Sequence, residues 1–114
     1  MQHSMRLNKS PFERIQNGTK IIELRLFDEK RQKLNLGDTI TFTNLDNSSE
    51  TLTVDVTGLL RYPTFSDLFD DFPMSYFDLD DDYSKEKFIE SMYKIYTQED
   101  ETKYGVLGIK IKII

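Results

Sequence analysis

Apolar and polar residues alternate in several stretches of the chain, which is the pattern of β-strands that bury one face. The clearest stretch is residues 39–44, and similar alternation in residues 3–7, 51–60 and 105–114 predicts three further strands. A polar connection separates residues 39–44 from residues 51–60, so we expect these two strands to pair as an antiparallel hairpin. The residues predicted to face inward are Met5, Leu7, Ile40, Phe42, Leu52, Val54, Val56, Leu107, Ile109, Ile111 and Ile113.

A short helix is predicted between the first strand and residue 18. Ser10 is suited to cap its N-terminus, and Glu13 occupies the position that a capping box requires. Phe12 and Ile15 are spaced to form its buried stripe. Gly18 is expected to end the helix in a left-handed conformation and to lead directly into the following strand.

Residues 61–96 are acidic and have the apolar spacing of two helices. Pro63 and Thr64 introduce the first helix, which Pro73 ends, and Ser84 precedes the second. The predicted inward residues are Phe65, Leu68, Phe69 and Phe72 in the first helix and Phe88, Met92, Ile95 and Tyr96 in the second. Aromatic residues at this spacing are typical of a core, so we do not interpret them as a base-stacking surface.

Residues 18–25 place three ionisable side chains, those of Lys20, Glu23 and Arg25, on an otherwise aliphatic segment that is typical of a strand. Side chains alternate along a strand, so Glu23 and Arg25 share one face. Lys20 is out of phase with them and would have to reach round from the start of the strand or across a β-bulge. The alternative interpretation is an edge strand with a solvated Glu–Arg pair and a lysine that discourages edge pairing.

The 114 residues are enough for one core, and we predict a single domain over residues 1–114. The chain has no cysteine and only one histidine, His3, which argues against thiolate metal sites and triad-type hydrolysis. It has no apolar run of transmembrane length and no signal peptide, so a soluble cytoplasmic protein is expected.

The acidic segment 78–82 lacks the glycine and the bidentate glutamate of a calcium loop, because Tyr83 and Ile89 occupy those two positions. Neither a metal nor a cofactor is expected.

The net charge of −5 is distributed unevenly along the chain. Residues 1–33 carry eight Lys or Arg against four Asp or Glu, whereas residues 34–104 carry five against sixteen. Basic residues gathered at one end can form the wall of a cleft for a phosphate-bearing ligand, and ordinary scatter of surface charge is the alternative. Strong non-specific binding to duplex DNA is not expected, because it requires many phosphate contacts.

Gly18, Lys20, Glu23 and Arg25 have the spacing Gly-x-Lys-x-x-Glu-x-Arg. This spacing resembles the signature motif of the ASCH (activating signal cointegrator homology) family, which belongs to the PUA-like superfamily. Three flanking segments are also similar to elements of that family, and the resemblance covers essentially the whole chain. It implies an α+β fold, a small PUA-like mixed β-barrel of about five to six strands with inserted helices. The flanking segments are residues 10–12, 36–40 and 104–109.

Proteins of the ASCH family are generally thought to bind RNA or nucleotides in a cleft beside the barrel, so the resemblance implies an RNA or nucleotide partner. One branch of small enzymes hydrolyses the amide of N4-acetylcytidine with Lys, Thr and Glu. In this chain Glu23 stands where that branch has Thr, which removes the proposed nucleophile. Three alternatives remain: a non-catalytic binding module, a small hydrolase of a modified nucleoside or RNA, and a protein-interaction domain that uses the acidic helices.

The motif residues Lys20, Glu23 and Arg25 are the candidate ligand-binding residues, and Lys20 and Glu23 would be the catalytic pair of an enzyme. A charged Lys20 would bind phosphate, and Arg25 would bind phosphate or a base edge. A neutral Lys20 could instead act as a base or a nucleophile. Glu23 would orient these cations or accept a hydrogen bond from a base amino group. Further candidates around them are Lys9, Lys30, Tyr96 and Tyr104.

Overall fold

The computed structural model describes all residues of the chain, 1–114. Its strands are β1 (Gln2–Leu7), β2 (Ile22–Leu26), β3 (Thr39–Asn44), β4 (Asn47–Tyr62) and β5 (Val106–Ile113). Its α-helices are α1 (Lys9–Gln16), α2 (Phe65–Asp71), α3 (Lys85–Tyr93) and α4 (Gln98–Tyr104). Short 3-10 turns lie at Arg31–Lys33 and Met74–Tyr76. No helix is both long enough and apolar enough to cross a membrane.

The strands form one sheet in the order β1-β3-β4-β5-β2, and this sheet curls into a half-barrel. β1 is parallel to β3, whereas the other neighbouring strands are antiparallel. β1 and β2 are therefore the two edges of the sheet. This architecture confirms the predicted fold class, an α+β chain with a PUA-like mixed barrel, and it has five strands.

The predicted β3–β4 hairpin is confirmed, but β4 is longer than the predicted strand at both ends. Residues 47–50 are exposed, so they show no apolar alternation from which a strand could be predicted. Side-chain amides order this end of the hairpin, where Asn44 accepts a hydrogen bond from the backbone of Asp46 and Asn47 from that of Ser49. The far end of β4 extends through Tyr62, so the predicted helical region begins later than residue 61.

Helix α1 begins one residue before its predicted cap. Asn8 occupies the cap position, and its side chain makes no capping hydrogen bond, so the prediction that Ser10 caps the helix is wrong. Phe12 and Ile15 are buried as predicted. Gly18 adopts a φ of +77°, which confirms the left-handed end of this segment.

The predicted starts of the first two helices in the helical layer agree with the structure, whereas the prediction near residue 95 does not. Thr64 and Ser84 cap α2 and α3 by accepting hydrogen bonds from backbone N–H groups. Helix α3 ends at Tyr93, so Ile95 is 67% exposed and the prediction of its burial is wrong. The chain turns there, and Thr97 caps a further helix, α4, which was not predicted from the sequence.

Two apolar clusters fill the structure. One lies between α1 and the inner face of the sheet and contains most of the predicted inward strand residues. The other packs β2 and the start of β5 against the helical layer. The prediction for Ile113 is wrong: it is the last residue of β5, and its side chain is 39% exposed at the margin of the core.

Asp38 ties the start of β3 to the first residues of the chain. Its carboxylate contacts His3 Nε2 at 2.8 Å and accepts hydrogen bonds from the backbone N–H of Asn35 at 3.0 Å and the amino group of Met1 at 3.1 Å. The hydrogen bond with His3 is the largest cause that lowers the pKa of Asp38 to about 2, from an ordinary value of 3.8. The ionised form of Asp38 therefore stabilises the folded state.

We expect Asp38→Asn to make the protein less stable at neutral pH and less sensitive to acid. Because the pKa of Asp38 is lower in the folded state, its contribution is complete above pH 3.8 and is lost as the pH falls toward about 2. Urea denaturation at pH 7, 4, 3 and 2 should therefore show midpoints of the two proteins that converge only below pH 4. A constant difference between them down to pH 2 would contradict this role of Asp38.

Candidate functional site

The three ionisable motif residues meet at the edge strand β2. Lys20 Nζ lies 2.9 Å from Glu23 Oε1, and Arg25 Nη2 lies 3.1 Å from Glu23 Oε2. Lys20 precedes the strand and forms an isolated bridge with Phe77, which lets its side chain reach round to Glu23. The difference in strand parity is thus overcome at the start of the strand, as the sequence suggested.

Glu23 is buried, with only 4% of its surface exposed. Burial disfavours its charged form, but the charges of Lys20 and Arg25 outweigh this effect and keep the pKa of Glu23 below its ordinary value of 4.5. Glu23 Oε1 also accepts a hydrogen bond from the backbone N–H of Leu24. The alternative of a solvated Glu–Arg pair is therefore wrong, although β2 is an edge strand.

Side chains bridge the gap between the two sheet edges. Arg25 Nη2 donates to the carbonyl oxygen of Arg6 on β1 at 2.9 Å, and Lys30 Nζ donates to that of Ser4 at 2.9 Å. These bonds satisfy carbonyl groups of β1 that have no strand beside them. Arg25 thus links the buried carboxylate of β2 to the opposite edge of the half-barrel.

A cleft of about 470 Å³ opens over these three residues. This volume lies within the range of small-molecule sites in proteins. Four cationic side chains and a single carboxylate line the cleft, and ten of its 18 lining residues are hydrophobic. The lining residues are Arg6, Leu7, Asn8, Pro11, Arg14, Lys20, Glu23, Leu24, Arg25, Leu45, Phe77, Leu79, Tyr83, Phe88, Ser91, Met92, Ile95 and Tyr96.

Of the further candidates, the structure brings only Tyr96 into the cleft. Lys9 is exposed and lies 4.0 Å from Glu13. Lys30 is occupied with the carbonyl oxygen of Ser4 on β1, and Tyr104 packs against the helical core with Lys103 above its ring. Lys9, Lys30 and Tyr104 do not line the cleft.

Two arginines line the cleft that the sequence did not identify as candidates. Arg6 alternates with inward-facing neighbours on β1, so its pattern is that of any outward strand residue. Arg14 lies in the last turn of α1, and its carbonyl oxygen accepts the N–H of Lys20. The position of Arg14 in the helix that leads into the motif was a usable signal, whereas nothing local identifies Arg6.

Tyr96 connects the motif residues with the helical side of the cleft. Its ring stacks on that of Phe65 with a centroid distance of 5.8 Å. Burial raises the pKa of its hydroxyl, the nearby charge of Arg25 lowers it in part, and that of Glu23 raises it again. Tyr96 therefore presents a neutral hydroxyl close to the ionised trio at neutral pH.

The free hydrogen-bonding capacity of the trio lies with its cations. Glu23 accepts bonds from Lys20, Arg25 and the N–H of Leu24, so its two oxygens are largely occupied. Lys20 has further N–H donors on Nζ, and the bonds of Arg25 use only Nη2. The arrangement can therefore bind an anionic group. No cluster of three or more His, Asp or Glu side chains is placed to hold a metal ion.

Comparisons with known proteins give one family. The family model of the ASCH domain matches residues 5–114. The crystal structure of the hypothetical protein PH0355 is 33% identical, with full coverage of both chains and a TM-score of 0.87. The solution NMR structure of protein PF0455 from Pyrococcus furiosus is 32% identical, covers 100% of this chain and 98% of its own, and has a TM-score of 0.78. No curated protein is similar enough to match. The chain belongs to the ASCH domain family.

Proposed function

We propose that this ASCH domain binds RNA or a nucleotide in the cleft beside β2. The observation that carries the proposal is the convergence of Lys20, Glu23 and Arg25 on a cleft that is cationic in an otherwise acidic chain. Four cations and one carboxylate line the cleft, whereas the whole chain has a net charge of −5. A local positive field of this kind attracts a phosphate-bearing ligand despite the overall negative charge.

The roles of the three motif residues follow from their contacts. Lys20 and Arg25 bind the phosphate groups through their free donors, with Arg offering a planar fork and Lys a point charge. Glu23 orients both cations and makes no base contact of its own, because its oxygens are already occupied. We also propose that residues 1–114 form a single domain and that the protein is cytoplasmic, which would place it in the compartment that contains RNA and nucleotides.

The apolar wall of the cleft supports the same function. Leu79, Met92 and Ile95 line the same cleft, are at least partly exposed, and present an apolar surface on which a nucleobase can pack. Bases stack on apolar and aromatic side chains with little dependence on sequence, so such a wall suits single-stranded RNA or a mononucleotide. Paired bases in a duplex are not free to enter a cleft of this volume.

We expect Arg6→Ala to weaken RNA binding without disturbing the trio. The side chain of Arg6 lines the cleft and has no ion-pair partner, and the bond from Arg25 uses its backbone oxygen. Fluorescence anisotropy of a labelled single-stranded RNA should show about a tenfold loss of affinity. The slope of log affinity against log salt concentration should also become shallower by about 0.7. The matched control is Lys87→Ala, which removes one charge from an exposed position outside the cleft. Equal losses in both variants, or no saturable binding by the parent, would contradict the proposal.

Hydrolysis of a modified nucleoside or RNA is the second candidate function. The observation in its favour is the 2.9 Å contact between Lys20 Nζ and Glu23 Oε1 in a partly enclosed site, a distance suited to proton transfer. Lys20 would act as the base and Glu23 as its partner. The protein would be incubated with acylated cytidines and short RNAs. Turnover that Lys20→Ala abolishes would favour the enzyme, whereas saturable binding without turnover would favour the binding module.

A further inference from the structure

The cleft carries more positive charge than a single internal phosphodiester would neutralise. Arg6, Arg14, Lys20 and Arg25 line it, and Glu23 is the only carboxylate among its lining residues. Arg14 Nε also lies 3.5 Å from Asp78 Oδ2, so four cations against these two carboxylates leave a net of two positive charges. A phosphodiester group brings about one negative charge. A phosphate monoester brings about 1.5 to 2 negative charges at neutral pH and matches the cleft more closely.

The free donors favour a group with several terminal oxygens. One N–H of Lys20 is used by Glu23, and the observed bonds of Arg25 use Nη2 only, which leaves Nη1 and Nε. The guanidinium of Arg6 has no ion-pair partner. A monoester presents three terminal oxygens to these donors, whereas a diester presents two.

We infer that the cleft recognises a phosphate monoester attached to a nucleoside, with the phosphate on Arg6, Lys20 and Arg25 and the nucleoside against the apolar wall. The inference rests on the proposed function and specifies the group that this function recognises. Tyr96 lines the same cleft and stacks on Phe65, and its hydroxyl would bond the sugar or the phosphate. A free mononucleotide and the phosphorylated end of an RNA strand share this chemistry.

Calorimetry with a nucleoside 5′-monophosphate and its methyl ester tests the inference, because the two ligands share base and sugar but differ by one charge. We expect the monoester to bind about tenfold more tightly, the effect of one additional charge-assisted hydrogen bond. Arg6→Ala should weaken monoester binding about tenfold and reduce this preference. Lys87→Ala should change neither value. Arg6 is the variant of choice because Lys20 and Arg25 also support the buried carboxylate.

Equal affinity for the monoester and its methyl ester would overturn the inference. If RNA with unphosphorylated ends binds and the monoester does not compete with it, the proposed function stands and only this inference fails. If neither ligand binds, both fail. Where the monoester is preferred over its methyl ester, an RNA with a terminal phosphate that binds more tightly than both the free nucleotide and the same RNA without that phosphate would identify the strand end as the source. Equal affinity of the phosphorylated RNA and the free nucleotide would identify the mononucleotide. Either of these last two results supports the monoester site.

Discussion

Replacing Glu23 with Gln is expected to lower the free energy of unfolding by about 3 kcal/mol, because two cations would lose the buried carboxylate between them. Lys20 and Arg25 are only 13% and 16% exposed, so solvent compensates them poorly. The loss should be near the lower end of the range for buried pairs, since both cations can turn partly toward the cleft. Urea denaturation monitored by circular dichroism measures it.

Lys20→Met is the matched control for the Glu23 variant. It keeps the apolar stem of the side chain and leaves Glu23 with its contacts to Arg25 and to the N–H of Leu24. Its cost should therefore be smaller, about 1 to 2 kcal/mol. If Glu23→Gln costs no more than Lys20→Met, the carboxylate is not the centre of the network.

The stabilising effect of Glu23 should also depend on pH. Its pKa is lowered in the folded state, so its contribution is complete above its ordinary pKa of 4.5 and declines as the pH falls below that value. The difference in stability between the parent and Glu23→Gln should therefore be constant from pH 7 to 5 and decrease in more acidic solution. A difference that grows in acid would contradict the assignment.

Glu101→Ala is expected to cost about 3 kcal/mol through a different buried carboxylate. Glu101 on α4 accepts the backbone N–H of Phe65 at 2.9 Å and the hydroxyl of Tyr93 at 2.8 Å. It is only 4% exposed, so its removal leaves two buried donors without partners. Thermal and urea unfolding should both show the loss. The same change should weaken ligand binding, because Glu101 fixes α3, which contributes Phe88 and Met92 to the cleft.

Two variants separate the parts of this effect. Tyr93→Phe removes one of the two hydrogen bonds and should cost about 1 kcal/mol. Glu99→Ala removes an exposed carboxylate from the same helix and should change stability by less than about 0.5 kcal/mol. A large effect of Glu99→Ala would show that helix propensity or the helix dipole, and not the buried contacts, determines the cost.

The strands and their inward faces were predictable from local patterns. Ile40, Phe42, Val54 and Val56 are all buried, as the alternation in β3 and β4 indicated. Helix α4 was not predicted, because it is short and polar and buries only Glu101 among its residues. A helix whose buried contact is a carboxylate gives no apolar periodicity, and the cap at Thr97 with acidic residues after it was its only local signal.

The candidate site was predictable in its centre and not at its rim. Lys20, Glu23 and Arg25 follow one another closely in the chain, so spacing and the ASCH motif identified them. Arg6 is far from them in sequence and reaches the cleft only because the sheet curls and brings β1 opposite β2.

The amino-acid sequence by itself determined the family, the faces of the strands and the three ionisable residues at the centre of the cleft, because these depend on neighbours along the chain. The tertiary structure alone decided that Glu23 is buried and that Arg6 and Arg14 line the cleft. It also decided that Lys9, Lys30 and Tyr104 lie elsewhere. These outcomes depend on how the edges of the sheet and the helical layer meet in space, which no local periodicity encodes.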